Sequence, residues 1–141
     1  MSERWLTSYY WDVRTTIAQY ADILTPEDSR WRISDEDEAV LGEHIVATLP
    51  FKDGSVLYAD CNLRIETAIV EWRYAYVYNS TDGQRIFQYD NREHHPHIST
   101  HPHHMHKGPI PKHGKSEALS IDLESVSMGT VLQKIRSEFF S

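Results

Sequence analysis

From Glu43 onward the hydrophobic pattern takes a period of two, and it holds that period to Tyr89 across two Asp-Gly pairs. Few features restrict a fold more. Ile45, Ala47 and Leu49 alternate with Val46 and Thr48, which is the signature of a strand with one buried face. Asp53-Gly54 follows, a dipeptide suited to tight hairpins because such turns need positive φ. Val56 to Arg64 resumes a strand, and Ile69 to Asn79 makes another, with Tyr74, Tyr76 and Tyr78 on one face and Arg73, Ala75 and Val77 on the other. Asp82-Gly83 turns the chain again into a short strand from Arg85 to Tyr89, with Ile86 and Phe87 on opposite faces. Consecutive strands joined by tight turns predict an antiparallel meander. The tyrosine row reads first as a half-buried sheet face, and alternatively as an exposed row on which bases stack.

Helices flank this block. Tyr10, Val13, Ile17, Tyr20 and Leu24 recur at spacings of three and four, one helical face, and Thr25-Pro26 stops the pattern. Asp35-Glu36-Asp37-Glu38 reads as a solvated acidic turn or strand edge. Near the C-terminus, Leu123, Val126, Val131, Leu132, Ile135 and Phe139 share one side of a helix, and Gly129 moves its expected start toward Thr130. The expected class is α+β: an antiparallel four- or five-stranded meander with N-terminal and C-terminal helices and a long His-rich loop. All 141 residues are expected to form one domain, with the first helix in 1–26, the sheet in 43–90, the loop in 90–115 and the last helix in 122–140.

Several classes are set aside. No apolar run approaches the roughly 20 residues that span a bilayer. Met1-Ser2-Glu3-Arg4-Trp5 lacks a signal-peptide pattern. Cys61 stands alone, so neither a disulfide framework nor a Cys-based zinc site is expected, and the cytoplasm is the natural compartment. The formal net charge of −7 argues against a polyanionic partner until its distribution is considered. Between Arg85 and Lys115 five basic residues (Arg85, Arg92, Lys107, Lys112, Lys115) face only Asp90 and Glu93, leaving +3 there and −10 elsewhere. Eight of the nine histidines lie in that segment as well. A basic strip on an acidic body is a place for a polyanion to dock.

The strip contains seven histidines in the thirteen residues His94 to His106. One explanation is acid–base chemistry on RNA. Cleavage at a ribose 2′-hydroxyl needs a base, an acid and positive charge on the phosphate, and histidine serves both proton roles near neutral pH. Arg92, Lys107 or Arg85 would supply the phosphate contact. A second explanation is metal binding. His95-Pro96-His97, His101-Pro102-His103 and His104-Met105-His106 are His-x-His pairs whose alternate residues point the same way in an extended chain, and imidazole suits zinc, nickel or copper. The third is a polar loop whose rings are satisfied by backbone. His44 and His113 lie outside the cluster and read as structural and flanking residues.

Tyr89-Asp90-Asn91, His94-His95-Pro96 and Thr100-His101-Pro102-His103-His104-Met105-His106 resemble the motif of the TumE-like toxins of bacterial and archaeal toxin–antitoxin systems. Asp53-Gly54-Ser55-Val56-Leu57, Tyr74-Ala75-Tyr76 and Asp82-Gly83 are similar to that family's strands. Glu93 stands where the family has proline, and His97 and His101 look particular to this chain. The resemblance implies a helix-turn-helix antitoxin as partner, growth inhibition through RNA or the ribosome, and no membrane. The residues read as catalytic are His94, His95, His103, His104, His106 and Asp90. Asn91, Arg92, Arg85, Lys107 and Tyr89 are read as substrate-binding. The leading expectation is a metal-independent, ribonuclease-like hydrolase with His94 or His95 as base, His104 or His106 as acid, and no cofactor. The alternatives are a divalent transition metal such as zinc or nickel held by His95, His97, His101, His103, His104 and His106, and a toxin that blocks translation by binding alone.

Overall fold

Six strands form one antiparallel sheet in the order of the chain: β1 (Arg30–Asp35), β2 (Gly42–Pro50), β3 (Val56–Ile65), β4 (Ile69–Asn79), β5 (Arg85–Asp90) and β6 (His104–Lys107). The structure is a computed structural model that describes residues 3–35, 42–65, 69–93 and 95–141. Helix α1 (Glu3–Gln19) precedes the sheet and α2 (Met128–Phe139) follows it. The class is α+β, but the meander has six strands where four or five were expected.

The two additional strands have different origins. β1 carries only Trp31 and Ile33 as apolar members, between two arginines and an acidic end, so its alternation is thin in sequence. It pairs with β2, Ile33 opposite Ile45. The remainder of the acidic run, Glu36 to Glu38, lies outside the described residues. β6 lies within the expected loop and has a single core residue, Met105. It forms because β5 offers an open edge, with Tyr89 opposite Met105 and Asp90 opposite His104. Its far edge is closed at one point by reciprocal backbone hydrogen bonds between Met105 and Leu119.

Both expected hairpin glycines adopt positive φ, 91° at Gly54 and 86° at Gly83. Asp53 completes its turn by accepting the Ser55 backbone N–H at 2.9 Å. Strand alternation then sorts the sheet into two faces. Ile45, Ala47, Leu49, Leu57, Ala59, Cys61, Leu63, Tyr74, Tyr76, Tyr78, Phe87, Tyr89 and Met105 fill the inner face. Val13, Ile17 and Tyr20 of the N-terminal helical region and Val131, Leu132 and Ile135 of α2 join them in the same core. Tyr10, expected on the core face of α1, is instead exposed and rests on Trp31, ring centroids 4.7 Å apart. The tyrosine row is fully interior, so none of its rings is available to stack bases. α2 begins at Met128, capped by Ser127, whose hydroxyl accepts the Thr130 N–H while Thr130 reciprocates toward the Ser127 N–H. Among the described residues no helix is long and apolar enough to cross a membrane.

Both helices pack on the inner face. The other face, which carries His44, Asp60, Asn62, Arg73, Ala75, Gln88, Asp90, His104 and His106, holds the polar chemistry of the molecule.

Candidate functional site

Asp90 ends β5, and the β5–β6 register sets His104 directly across from it and His106 across from Gln88. Directly opposed residues bring their Cβ atoms to about 5 Å, so four polar side chains meet on one face. The Asp90 carboxylate is buried and multiply bound. Oδ1 lies 2.9 Å from His104 Nε2 and accepts the Arg92 backbone N–H at 3.2 Å, while Oδ2 accepts from Gln88 Nε2 at 2.9 Å. His106 Nε2 stands 3.9 Å from Oδ2, attracted but not hydrogen-bonded.

Backbone carbonyls set both rings from behind. His104 Nδ1 lies 3.0 Å from the Pro102 oxygen, and His106 Nδ1 lies 2.8 Å from the Glu117 oxygen. A carbonyl only accepts, so each Nδ1 carries the hydrogen and each Nε2 is turned toward Asp90. The His104 ring is therefore held by the Pro102 carbonyl at Nδ1 and faces the Asp90 carboxylate with its Nε2. His106, with no such contact at Nε2, presents a lone pair.

His95 closes the group. Its ring centroid lies 4.8 Å from that of His104 and 5.7 Å from that of His106, and the latter two are 5.0 Å apart. One nitrogen from each of the three rings falls within 4.8 Å of the others. Desolvation, then the neighbouring His104 and His106, hold the His95 imidazole below its ordinary pKa. Burial does the same to His106, helped by His104, and outweighs the opposing pull of the Glu117 carbonyl and Asp90.

The remaining expected site residues are distributed around this centre. His94 lies outside the described residues. His97 meets His95 edge to face, ring centroids 5.9 Å apart. His101 is exposed on the loop. His103 turns away and stacks on Tyr74, its Nδ1 2.8 Å from the tyrosine hydroxyl. Asn91 accepts the Tyr74 backbone N–H at 3.0 Å and ties the loop to β4. Tyr89 is a core residue whose hydroxyl donates to Asp122 at 2.9 Å, and burial followed by that carboxylate pushes its phenol upward. Arg85 is buried with its guanidinium donating to the Gly108 carbonyl, Gln88 and Ser116, so it braces the site from below. Lys107 shares Met105's side of β6 by alternation, not the side of the histidines.

Gln88 was not singled out in the sequence, though its place two residues before Asp90 in a strand already implied a shared face. The Pro102 and Glu117 carbonyls carry no sequence signal.

A family model for toxin TumE matches residues 14–138, most of the chain. This chain belongs to the TumE toxin family. Membership gives it a toxin function and implies an antitoxin partner. No curated protein and no solved structure matches significantly. The match extends well beyond the histidine motif, so the sheet and both helical regions are part of the likeness. In this TumE-family toxin the described histidines shared with the motif divide between a converged group (His95, His104, His106) and one that stacks on β4 (His103).

Proposed function

We propose that this TumE-family toxin cleaves RNA by acid–base catalysis at His95 and His106, with the Asp90–His104 pair as their fixed electrostatic partner. The convergence of His95 and His106 on His104, both held below their ordinary pKa, carries this reading. A neutral ring at physiological pH removes the proton of a ribose 2′-hydroxyl. The freed 2′-oxygen attacks the adjacent phosphorus, and the 5′-oxygen leaves with a proton from the other ring. The products are a 2′,3′-cyclic phosphate and a 5′-hydroxyl. His104, buried with Nδ1 on the Pro102 carbonyl and Nε2 facing Asp90, positions and polarises. Arg92, whose backbone is tied to Asp90, supplies charge beside the scissile phosphate. The test is RNA end analysis with purified toxin: 5′-hydroxyl ends with the parent chain and their loss in His95→Ala and His106→Gln. RNA that stays intact while the protein remains toxic would overturn cleavage in favour of binding alone.

A second reading has its own observation. Three imidazole nitrogens within 4.8 Å of one another, two of them oriented by Nδ1–H to carbonyl bonds, also make a donor set for zinc, nickel or copper. In that case the ion would supply Lewis acidity at the same place. Metal content of untagged protein, and cleavage with and without chelator, separate the two: cleavage that dies in chelator and returns with a single added ion favours the metal.

A further inference from the structure

Beside the histidine centre, on the same sheet face, lies a cavity that the histidine motif does not include. It has a volume of about 250 Å³ and is lined by His44, Asp60, Asn62, Arg73, Ala75 and Arg92. Three adjacent strands build it through their register: His44 opposite Asn62, and Asn62 opposite Arg73. One row further along, Asp60 is paired with Ala75 and Ala75 with Asp90. Asp60 and Asp90 thus flank a single methyl group, two strand spacings or roughly 10 Å apart. Nothing taller than Ala75 stands between the cavity and the histidine centre in that row. Arg92 joins them directly, with its backbone N–H on Asp90 and its side chain in the cavity wall.

The lining has the chemistry of an anion site. Among the described residues neither the Arg73 nor the Arg92 guanidinium has a hydrogen-bond or ion-pair partner, and both border one cavity. The one acid in the wall, Asp60, is already engaged, with Oδ1 2.5 Å from His44 Nε2. Two unengaged guanidiniums, an amide and an imidazole held by a carboxylate together fit a phosphodiester with its ribose hydroxyl. His44 reads as structural in the sequence because it lies at a strand start away from the histidine cluster; the β2–β3–β4 register brings it to the cavity.

The geometry points to a second phosphate subsite for single-stranded RNA in this cavity, with Arg73 holding the phosphate of the strand next to the one at the histidine centre and Arg92 standing between the two phosphates. This rests on the RNA reading above, and it extends the substrate from one reacting linkage to a stretch of strand. Its function is to fix register, so that only one 2′-hydroxyl reaches His95 and His106.

The test uses the full chain and a 2′-O-methylated RNA oligonucleotide, which the proposed chemistry cannot cut, so binding is read apart from catalysis. Arg73→Ala is expected to weaken binding about tenfold, the worth of one charge-assisted contact. It should also lower the slope of log K against log salt by about 0.7, one phosphate fewer. Arg73→Lys should keep the parent slope. Arg73 is exposed, so its removal spares the core. Unchanged affinity and slope in Arg73→Ala overturn the subsite even if unmodified RNA is cleaved normally. Lost affinity and slope in Arg73→Ala, with no cleavage of unmodified RNA by the parent, uphold the subsite and sink only the catalytic reading. A parent chain that does not bind the oligonucleotide overturns the subsite.

Discussion

The two faces of one sheet are built from the same six strands and to opposite ends. On the inner face Tyr74, Tyr76, Tyr78, Phe87 and Tyr89 are buried in the core, and the hydroxyls of Tyr78 and Tyr89 are satisfied by Ser55 and Asp122. On the other face Asp90, His104 and His106 are also nearly inaccessible, yet they are assembled from charge and held by carbonyls. Burial on the first face stabilises by removing apolar surface from water. Burial on the second stores unfavourable charge placement, which is what lowers the pKa of His95 and His106. The lesson is that stability and chemistry are separated by a single residue step along β5, Tyr89 facing one way and Asp90 the other.

That separation can be broken most severely at the polar face. His106→Gln is expected to reduce RNA cleavage by about 10²- to 10⁴-fold, the usual worth of a proton-transfer group, and His95→Ala by a similar factor with little change in thermal unfolding. Cleavage assays and unfolding curves on the same preparations check this, and equal activity in both variants would remove them from the chemistry. On the inner face the converse holds. Ile135, fully buried on α2, should cost about 2–5 kcal/mol as Ile135→Ala, measured by denaturant unfolding, while the folded fraction keeps its activity.

Acid provides an intermediate perturbation. His106 in the folded chain lies below its unfolded value of about 6.5. The neutral ring is the form the fold accepts, so stability from this residue is intact above about pH 6.5 and is lost as pH falls through the depressed folded value. In His106→Gln the corresponding part of the acid-side decline in melting temperature should vanish. Cleavage should fall over the same range, because the base becomes protonated. Smaller still, Tyr89→Phe should cost about 1 kcal/mol by removing the hydroxyl's hydrogen bond to Asp122. The smallest effect belongs to Tyr58→Ala, an exposed ring on the polar face, expected within about 0.5 kcal/mol of the parent.

Much of the scaffold was legible because it is local. Asp53-Gly54 and Asp82-Gly83 named their own turns, and β2 to β5 carried clear alternation. β6 was not legible: His-Met-His-Lys has one apolar residue, and only the open edge of β5 makes it a strand. The same register decides which histidines meet. Spacing alone made His103 the equal of His104, yet one stacks on Tyr74 and the other faces Asp90. His44 and Arg73 were invisible as partners for the same reason, since cross-strand neighbours carry no sequence mark.

The closure of β6 by Leu119 has a consequence in time. A chain emerging from the ribosome can complete the first five strands, but His106 takes its orientation from the Glu117 carbonyl and β6 its outer seal from Leu119. Until those residues are out, the histidines hang on an unanchored segment. The histidine centre is therefore set late in translation, after nearly all of the sheet is in place, and truncated products that end before Glu117 lack it.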